Sequence, residues 1–174
     1  DVGESKKLSD NQFTRTGYEF LKWTTESNGS GNSYENKETV KDISGAGTTL
    51  PLYAQWTPIK YTIRYNGNGN TSGSTTSSSH TYDQAKSLTK NGFKKTGYTF
   101  TGWTTEENGS GDHYSDIESV INLTTKNNDV IDLYAQWAPN EYTVVYNPVA
   151  PTYSQSTVTG TMENTNCTYG LNYN

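Results

Sequence analysis

The sequence predicts a β-rich α+β fold, built from tandem repeats of about 80 residues that each carry a short helix at most. Three observations lead there. Long stretches of the chain recur at fixed spacing, apolar residues alternate with polar ones at period two, and 13% aromatics accompany a mean hydropathy of −0.88. An apolar fraction of 30% alone would suggest disorder. Disordered chains, however, lack the large rings that bury most area per residue, so four Trp and fourteen Tyr point to folded units. Abundant Ser, Thr, Asn and Gly suit solvated strands and turns rather than long helices.

The repeat itself is explicit. Phe13 to Gly31 returns as Phe93 to Gly111, eighty residues later, with Thr-Gly-Tyr, Phe, Trp-Thr-Thr-Glu and Asn-Gly-Ser-Gly in the same order. Leu52-Tyr-Ala-Gln-Trp56 returns as Leu133-Tyr-Ala-Gln-Trp137 at an offset of 81, which places one inserted residue between Ile43 and Leu52. Tyr61-Thr-Ile-Arg-Tyr-Asn66 returns as Tyr142-Thr-Val-Val-Tyr-Asn147. A third, partial copy follows. Gly160 to Tyr169 aligns with Gly73 to Tyr82 at an offset of 87, so the loop after Asn147 is six residues longer than its counterpart.

The elements follow in order. Leu52, Ala54 and Trp56 alternate with Tyr53 and Gln55, and Tyr61, Ile63 and Tyr65 alternate with Thr62 and Arg64, the pattern of half-buried strands. Gly97 to Trp103 reads as a strand that turns at Asn108-Gly109-Ser110-Gly111 and returns through Tyr114, with glycines taking the positive φ values of a hairpin. Ser115 and Glu118 have the spacing of a capping box before Val120, Ile121 and Leu123, which permits one short helix. Glu35 to Glu38 in the other copy lacks the Ser cap. Three segments result: 1–56 as the C-terminal part of a first repeat, 59–137 as a complete central repeat, and 140–174 as the N-terminal part of a third. Only 59–137 holds every strand, so it is expected to fold alone while 1–56 is not. Thr57 to Lys60 and Ala138 to Glu141 join successive repeats. Four residues reach at most about 13 Å and each link contains a proline, so neighbours should be semi-rigidly coupled.

Candidate chemistry is sparse. Thirteen Lys+Arg against eighteen Asp+Glu, without a basic cluster, leave nothing to hold a polyanion, so no nucleic acid is expected. No apolar run reaches the roughly 18 residues of a membrane span, and Asp1 opens no charged-then-apolar signal segment. The single Cys excludes an internal disulfide and thiolate clusters. The copies also act as an internal control. His80 occupies the slot of Cys167, and His113 that of Ser33. Neither slot insists on imidazole, and both histidines read as solvated loop or strand-surface residues. Cys167 reads as a small half-buried filler rather than a reactive thiol. Glu106, Glu107, Asn108, Asp112 and Asp116, and more thinly Glu26, Asn28 and Asn32, cluster near the glycine turns, but calcium needs about six to eight oxygens in a defined loop. Solvated hairpin carboxylates are favoured. Asn66-Gly-Asn-Gly-Asn70 lacks the following Lys-Ser/Thr and helix of a phosphate loop and reads as flexible. The Ser/Thr run from Thr71 to Thr81 is open to O-glycans, and the sequons at Asn28, Asn70, Asn108, Asn122 and Asn166 fit chance in so Asn- and Thr-rich a chain. Trp23, Trp56, Trp103 and Trp137 recur with Phe20 and Phe100 and read as core. Tyr53 and Tyr134, out of phase with them, are the outward aromatics. No catalytic, cofactor or metal residues emerge.

The succession Phe-x-x-Thr-Gly-Tyr-x-Phe-x-x-Trp, Asn-Gly-Ser-Gly, Tyr, Leu-Tyr-Ala-Gln-Trp and Tyr-Thr-x-x-Tyr-Asn resembles the Listeria–Bacteroides repeat family, relatives of the internalin B-repeats, over nearly the whole chain. The resemblance implies tandem β-grasp-like modules, roughly ββαβ, in secreted and wall-attached bacterial surface proteins. Two positions depart from it: Lys22 replaces the usual Gly before Trp23, and Ile117 stands where the family often has Gly. The expectation is a non-catalytic stalk or fibre segment of an extracellular surface protein, without cofactors. The alternative is an adhesive module recognising host glycoprotein or carbohydrate. Asp1 aligns with Thr81 and Asn174 with Ser87, so the two ends tile one repeat. Copies of the repeat, head to tail, are the expected partners. They belong either to a longer covalent array from which this window is trimmed or to self-complementing filament subunits.

Overall fold

The computed structural model describes residues 3–45, 47–148 and 159–172. The longer loop predicted after Asn147 falls largely outside them, as do the terminal residues 1–2 and 173–174. The first repeat segment holds β1 (Ser5–Lys7), β2 (Tyr18–Thr24), β3 (Ser33–Tyr34), β4 (Thr39–Lys41) and β5 (Tyr53–Pro58). The central segment holds β6 (Lys60–Asn66), β7 (Ser72–Gly73), β8 (Ser78–Thr81), β9 (Lys86–Ser87), β10 (Phe93–Lys94), β11 (Tyr98–Thr104), β12 (His113–Tyr114), β13 (Ser119–Val120) and β14 (Asp129–Pro139). A final hairpin pairs β15 (Glu141–Val144) with β16 (Thr165–Thr168).

Equivalent strands pair identically. β2 joins β5 from Tyr18↔Pro58 to Thr24↔Tyr53 with a bulge between Phe20 and Lys22, and β11 joins β14 from Tyr98↔Pro139 to Thr104↔Tyr134 with a bulge between Phe100 and Gly102. The predicted hairpins also form, Trp23 facing Tyr34 and Trp103 facing Tyr114. Strand order in the central sheet is β12-β11-β14-β6-β8, and in the first copy β3-β2-β5. The sheets are open.

No helix occurs among the described residues, so the fold is all-β where a short helix and the α element of ββαβ were expected. The capping-box residues make a turn instead. Glu118 N–H donates to the Ser115 carbonyl at 3.3 Å, the Glu118 carboxylate accepts from Ser115 N–H at 2.6 Å, and Ile117 takes φ +61°. A positive φ at the third position closes a type II-like turn and stops helical propagation. Ser119–Val120 then pairs with β9. Glu35 to Glu38 behaves the same way, with Lys37 at φ +61° and the Glu38 carboxylate on Glu35 N–H at 2.6 Å. Both turns hold their carboxylate on the backbone N–H of their first residue, Ser115 in one and Glu35 in the other.

Two compact units partition the chain. The first comprises Asp1–Arg64, Ser77–Leu88 and Ser119–Ile131. Its core gathers Trp23, Ile59, Tyr61, Ile63, His80, Leu88 and Val120, with the Thr24 hydroxyl donating to the Glu26 carbonyl and accepting from Gln55. Tyr61, Ile63 and, in the second unit, Tyr65 are 1%, 0% and 7% exposed, as period two requires. The second unit comprises Tyr65–Thr76, Thr89–Glu118 and Asp132–Asn174. Trp103 is fully buried there, its ring 4.9 Å from Tyr65, 4.9 Å from Phe100 and 6.3 Å from Phe93, over Leu133 and Ala135. The core reading of the tryptophans thus holds for Trp23 and Trp103, whereas Trp56 and Trp137 are half-buried.

The 66–70 loop is ordered rather than flexible. Gly67 is buried and its carbonyl accepts from Trp137 Nε1 at 3.0 Å, while Asn68 Nδ2 donates to the Glu107 and Ala135 carbonyls at 2.9 and 3.0 Å. An amide that donates to two main-chain carbonyls fixes the loop more firmly than its glycines loosen it.

Candidate functional site

One arrangement is built twice from the same parts, once within each compact unit, where a Thr-Gly-Tyr turn leading into a long strand meets the link and hairpin of the next repeat segment. In the first unit, Tyr18 N–H donates to the Arg15 carbonyl at 3.0 Å, which closes a turn with Gly17 at φ +76°. The Gly17 carbonyl accepts from Ile59 N–H at 2.9 Å, and the Ile59 carbonyl from Tyr82 N–H at 3.0 Å. The Tyr82 ring lies against the bare Gly17 Cα so closely that a Cβ there would fall inside the ring. Tyr18 meets the same ring edge to face at 5.9 Å, and the Arg15 guanidinium covers Tyr18 at 3.7 Å.

The second unit repeats each contact. Tyr98 N–H donates to Lys95 at 3.0 Å, Asn140 N–H to Gly97 at 2.8 Å and Tyr169 N–H to Asn140 at 2.8 Å. Gly97 sits at φ +77° with no room for a Cβ beneath Tyr169, Tyr98 and Tyr169 lie 5.8 Å apart edge to face, and Lys95 Nζ is 4.8 Å over Tyr98. Glycine serves both positions for two separate reasons, the left-handed backbone and the approaching ring.

The copies differ in their polar fringe. Tyr18 Oη donates to Asp83 at 2.8 Å, Asn122 Nδ2 donates to the other oxygen of the same carboxylate at 2.8 Å, and Asn127 Nδ2 donates to Glu19 at 2.7 Å. The Asn122 and Tyr18 hydrogen bonds hold the Asp83 carboxyl below its usual range, and Asp83 in turn raises the Tyr18 phenol. Gly170 stands in the place of Asp83 in the second unit, where Thr99 Oγ1 instead donates to Asn140 Oδ1 at 2.7 Å.

The other candidates lead elsewhere. His113 is exposed, as expected, but His80 is 1% exposed, stacked on Tyr61 at 5.4 Å and hydrogen-bonded through Nε2 to Ser78 at 2.9 Å. The solvated reading of His80 is therefore corrected. Its place opposite Tyr61 in the β6–β8 ladder puts it on the buried face. Cys167, buried opposite Tyr142, is the equivalent filler. Tyr53 is 41% exposed and Tyr134 half-buried. The acidic turn is tied up locally, Asp116 accepting from Asn91 N–H at 2.8 Å and Asn108 from Ser110. Among the described residues, no group of three or more His, Cys, Asp or Glu side chains is placed to hold a metal. Sequence reasoning did not single out the Gly–Tyr contacts. Their signal was the recurrence of Thr-Gly-Tyr together with the equivalence of Tyr82 and Tyr169.

Residues 1–55 and 61–136 match the family model of the Listeria-Bacteroides repeat domain. A protein of Evansella cellulosilytica that bears the name Gly-rich membrane protein is 36% identical over 137 residues, which is 76% of this chain and 15% of the relative. Another protein of that organism, named a membrane protein, is 34% identical over 93 residues, 52% of this chain and 13% of the relative. The chain thus spans about one seventh of the length of the curated relatives it matches. No solved structure matches it.

Proposed function

The chain belongs to the Listeria-Bacteroides repeat domain family, and from that premise we propose that it is a structural stalk or fibre segment of a bacterial extracellular surface protein, with 1–56, 59–137 and 140–174 as successive repeats. The observation that carries this reading is the Gly–Tyr junction, built from the same bonds in both units. Successive segments share main-chain hydrogen bonds and a ring seated on bare backbone, not a flexible tether, and a device that transmits position from repeat to repeat is what a stalk requires. The segment works without catalysis or a cofactor. The family's association with surface proteins and the names of the relatives support placement outside the cell.

Exposed Tyr53 supplies the adhesive alternative with an aromatic handle. Glycan-array and host-glycoprotein binding by the 174-residue chain separates the two: a stalk gives background signal, whereas saturable binding lost on Tyr53→Ala would replace the stalk with an adhesin.

A further inference from the structure

We propose that the two Asn-Gly-Ser-Gly turns are sites of spontaneous covalent modification, where Asn28 and Asn108 lose their side-chain amides to attack by the next glycine nitrogen and become aspartate or isoaspartate. This concerns the covalent chemistry of the turns and does not rest on their place in a stalk.

Asparagine followed by glycine is the step most open to this reaction, because a residue without a Cβ leaves its own nitrogen unhindered in reaching the asparagine Cγ. The chain has five such steps, at Asn28, Asn66, Asn68, Asn91 and Asn108. The fold treats them differently. Asn28 Oδ1 accepts from Ser30 N–H at 3.0 Å and from the Ser30 hydroxyl at 2.6 Å, and Asn108 Oδ1 accepts from Ser110 at the same two distances. Both asparagines are exposed, with Oδ1 held and no acceptor on Nδ2 among the described residues. By contrast, Asn68 Nδ2 donates to the Glu107 and Ala135 carbonyls at 2.9 and 3.0 Å, and Asn91 Nδ2 to the Phe93 carbonyl at 3.3 Å. The glycine that follows Asn66 is buried.

At Asn108 the Gly109 nitrogen gives up its proton to water and bonds to Cγ, so that Oδ1 takes the negative charge of a tetrahedral intermediate. Ser110 N–H and Oγ–H already stand on that oxygen, a pair of donors that strengthens as the oxyanion forms. When the intermediate collapses, the Cγ–Nδ2 bond breaks and Nδ2 takes a proton from water and leaves as ammonia. A succinimide ring remains. Water then opens it at Cγ to give aspartate, or at the main-chain carbonyl to give isoaspartate. One water is consumed and one ammonia released, without oxidation or reduction. The unbound Nδ2 of Asn28 or Asn108 departs freely, whereas that of Asn68 must first give up two hydrogen bonds. Gly29 and Gly109 each donate N–H to a carbonyl at 3.1 Å, and that bond opens before attack; Gly92 meets the same requirement through Thr75 Oγ1 at 2.9 Å. Conversion stays local, because the neck of each turn is closed without the asparagine. Thr25 N–H donates to the Asn32 carbonyl at 3.0 Å and Asn32 N–H to Thr25 Oγ1 at 3.1 Å, and Thr105 and Asp112 repeat both bonds. Each event therefore adds a negative charge to a hairpin turn whose strands remain paired.

Peptide mapping by mass spectrometry tests the proposal on the 174-residue chain held in warm, mildly alkaline buffer, with the same chain in urea as the unfolded reference. Aspartate plus isoaspartate is quantified at all five steps, and each folded rate is divided by its rate in urea. The ratios at Asn28 and Asn108 should match each other and exceed those at Asn68 and Asn91 by at least about threefold, the lower end of what one hydrogen bond contributes to a rate. Ser30→Ala should lower the Asn28 ratio by a similar factor and leave Asn108, in the same molecule, as it was. Ser30→Thr keeps the hydroxyl and should restore the parent ratio. Ser110→Ala is the reciprocal variant, with Asn28 as its internal reference. Equal ratios at all five steps, a larger ratio at Asn68 or Asn91, or an Asn28 ratio that Ser30→Ala leaves unchanged or raises would each overturn the proposal. None of those results bears on glycan binding, which tests the stalk separately.

Discussion

Ile117 holds a left-handed backbone, φ +61°, with a β-branched side chain that is 50% exposed. That conformation costs an L-residue roughly 1–2 kcal/mol, and a side chain so exposed recovers little of it by packing. Ile117→Gly should therefore raise the urea midpoint, by about 1 kcal/mol in stability. An unchanged or lowered midpoint would mean that Ile117 packs more than its exposure shows. Trp103 is the opposite case, fully buried among Tyr65, Phe93 and Phe100. Trp103→Ala should cost about 3–5 kcal/mol in equilibrium denaturation, the usual penalty for truncating a buried large aromatic. A loss below about 1 kcal/mol would place the ring outside the core.

At the scale of elements, the strands were legible because period two and the repeat agree. Trp23 and Trp103 come out buried, and β2 and β11 reach β5 and β14 in one register. The turn at Ser115 was misread because Ser-x-x-Glu satisfies a tight turn as well as a helix N-terminus, and only the φ of Ile117 distinguishes them. Lys22 and Gly102 stand at the same bulge in the two copies. Gly102 takes φ +145° with the Tyr114 carbonyl 2.9 Å from where a Cβ would be, while the first copy makes its bulge at Lys22 without a positive φ. His80 was misplaced because its equivalence to Cys167 shows that the slot does not insist on imidazole but not which face it lies on, whereas ladder register puts it against Tyr61. Burial, and secondarily nearby Lys86, push its pKa below the ordinary 6.5. The unfolded chain then binds more protons as pH falls below that value, so the contribution of His80 is complete above it and is lost toward the lower folded pKa. Urea midpoints between pH 7.5 and 5 should fall for the parent chain and fall less for His80→Cys, which copies the residue of the third repeat. Equal slopes would contradict a buried neutral imidazole.

For the whole molecule, the recurrence of one junction matters more than any single side chain. The sequence showed that copies follow one another with four-residue links. It did not show that Tyr82 and Tyr169 seat on Gly17 and Gly97, because such a contact depends on where a ring lands rather than on local pattern. Asp83 gives the first junction an acidic anchor that Gly170 denies the second. The most direct test of coupling is a double-mutant cycle on Gly17→Ala and Tyr82→Ala, read as unfolding free energy of the 174-residue chain. Alanine at Gly17 must displace the Tyr82 ring, so it should cost markedly less once that ring has been removed, with a coupling energy of about 1 kcal/mol or more. Costs that add to within about 0.3–0.5 kcal/mol would contradict a junction made by that ring on that glycine.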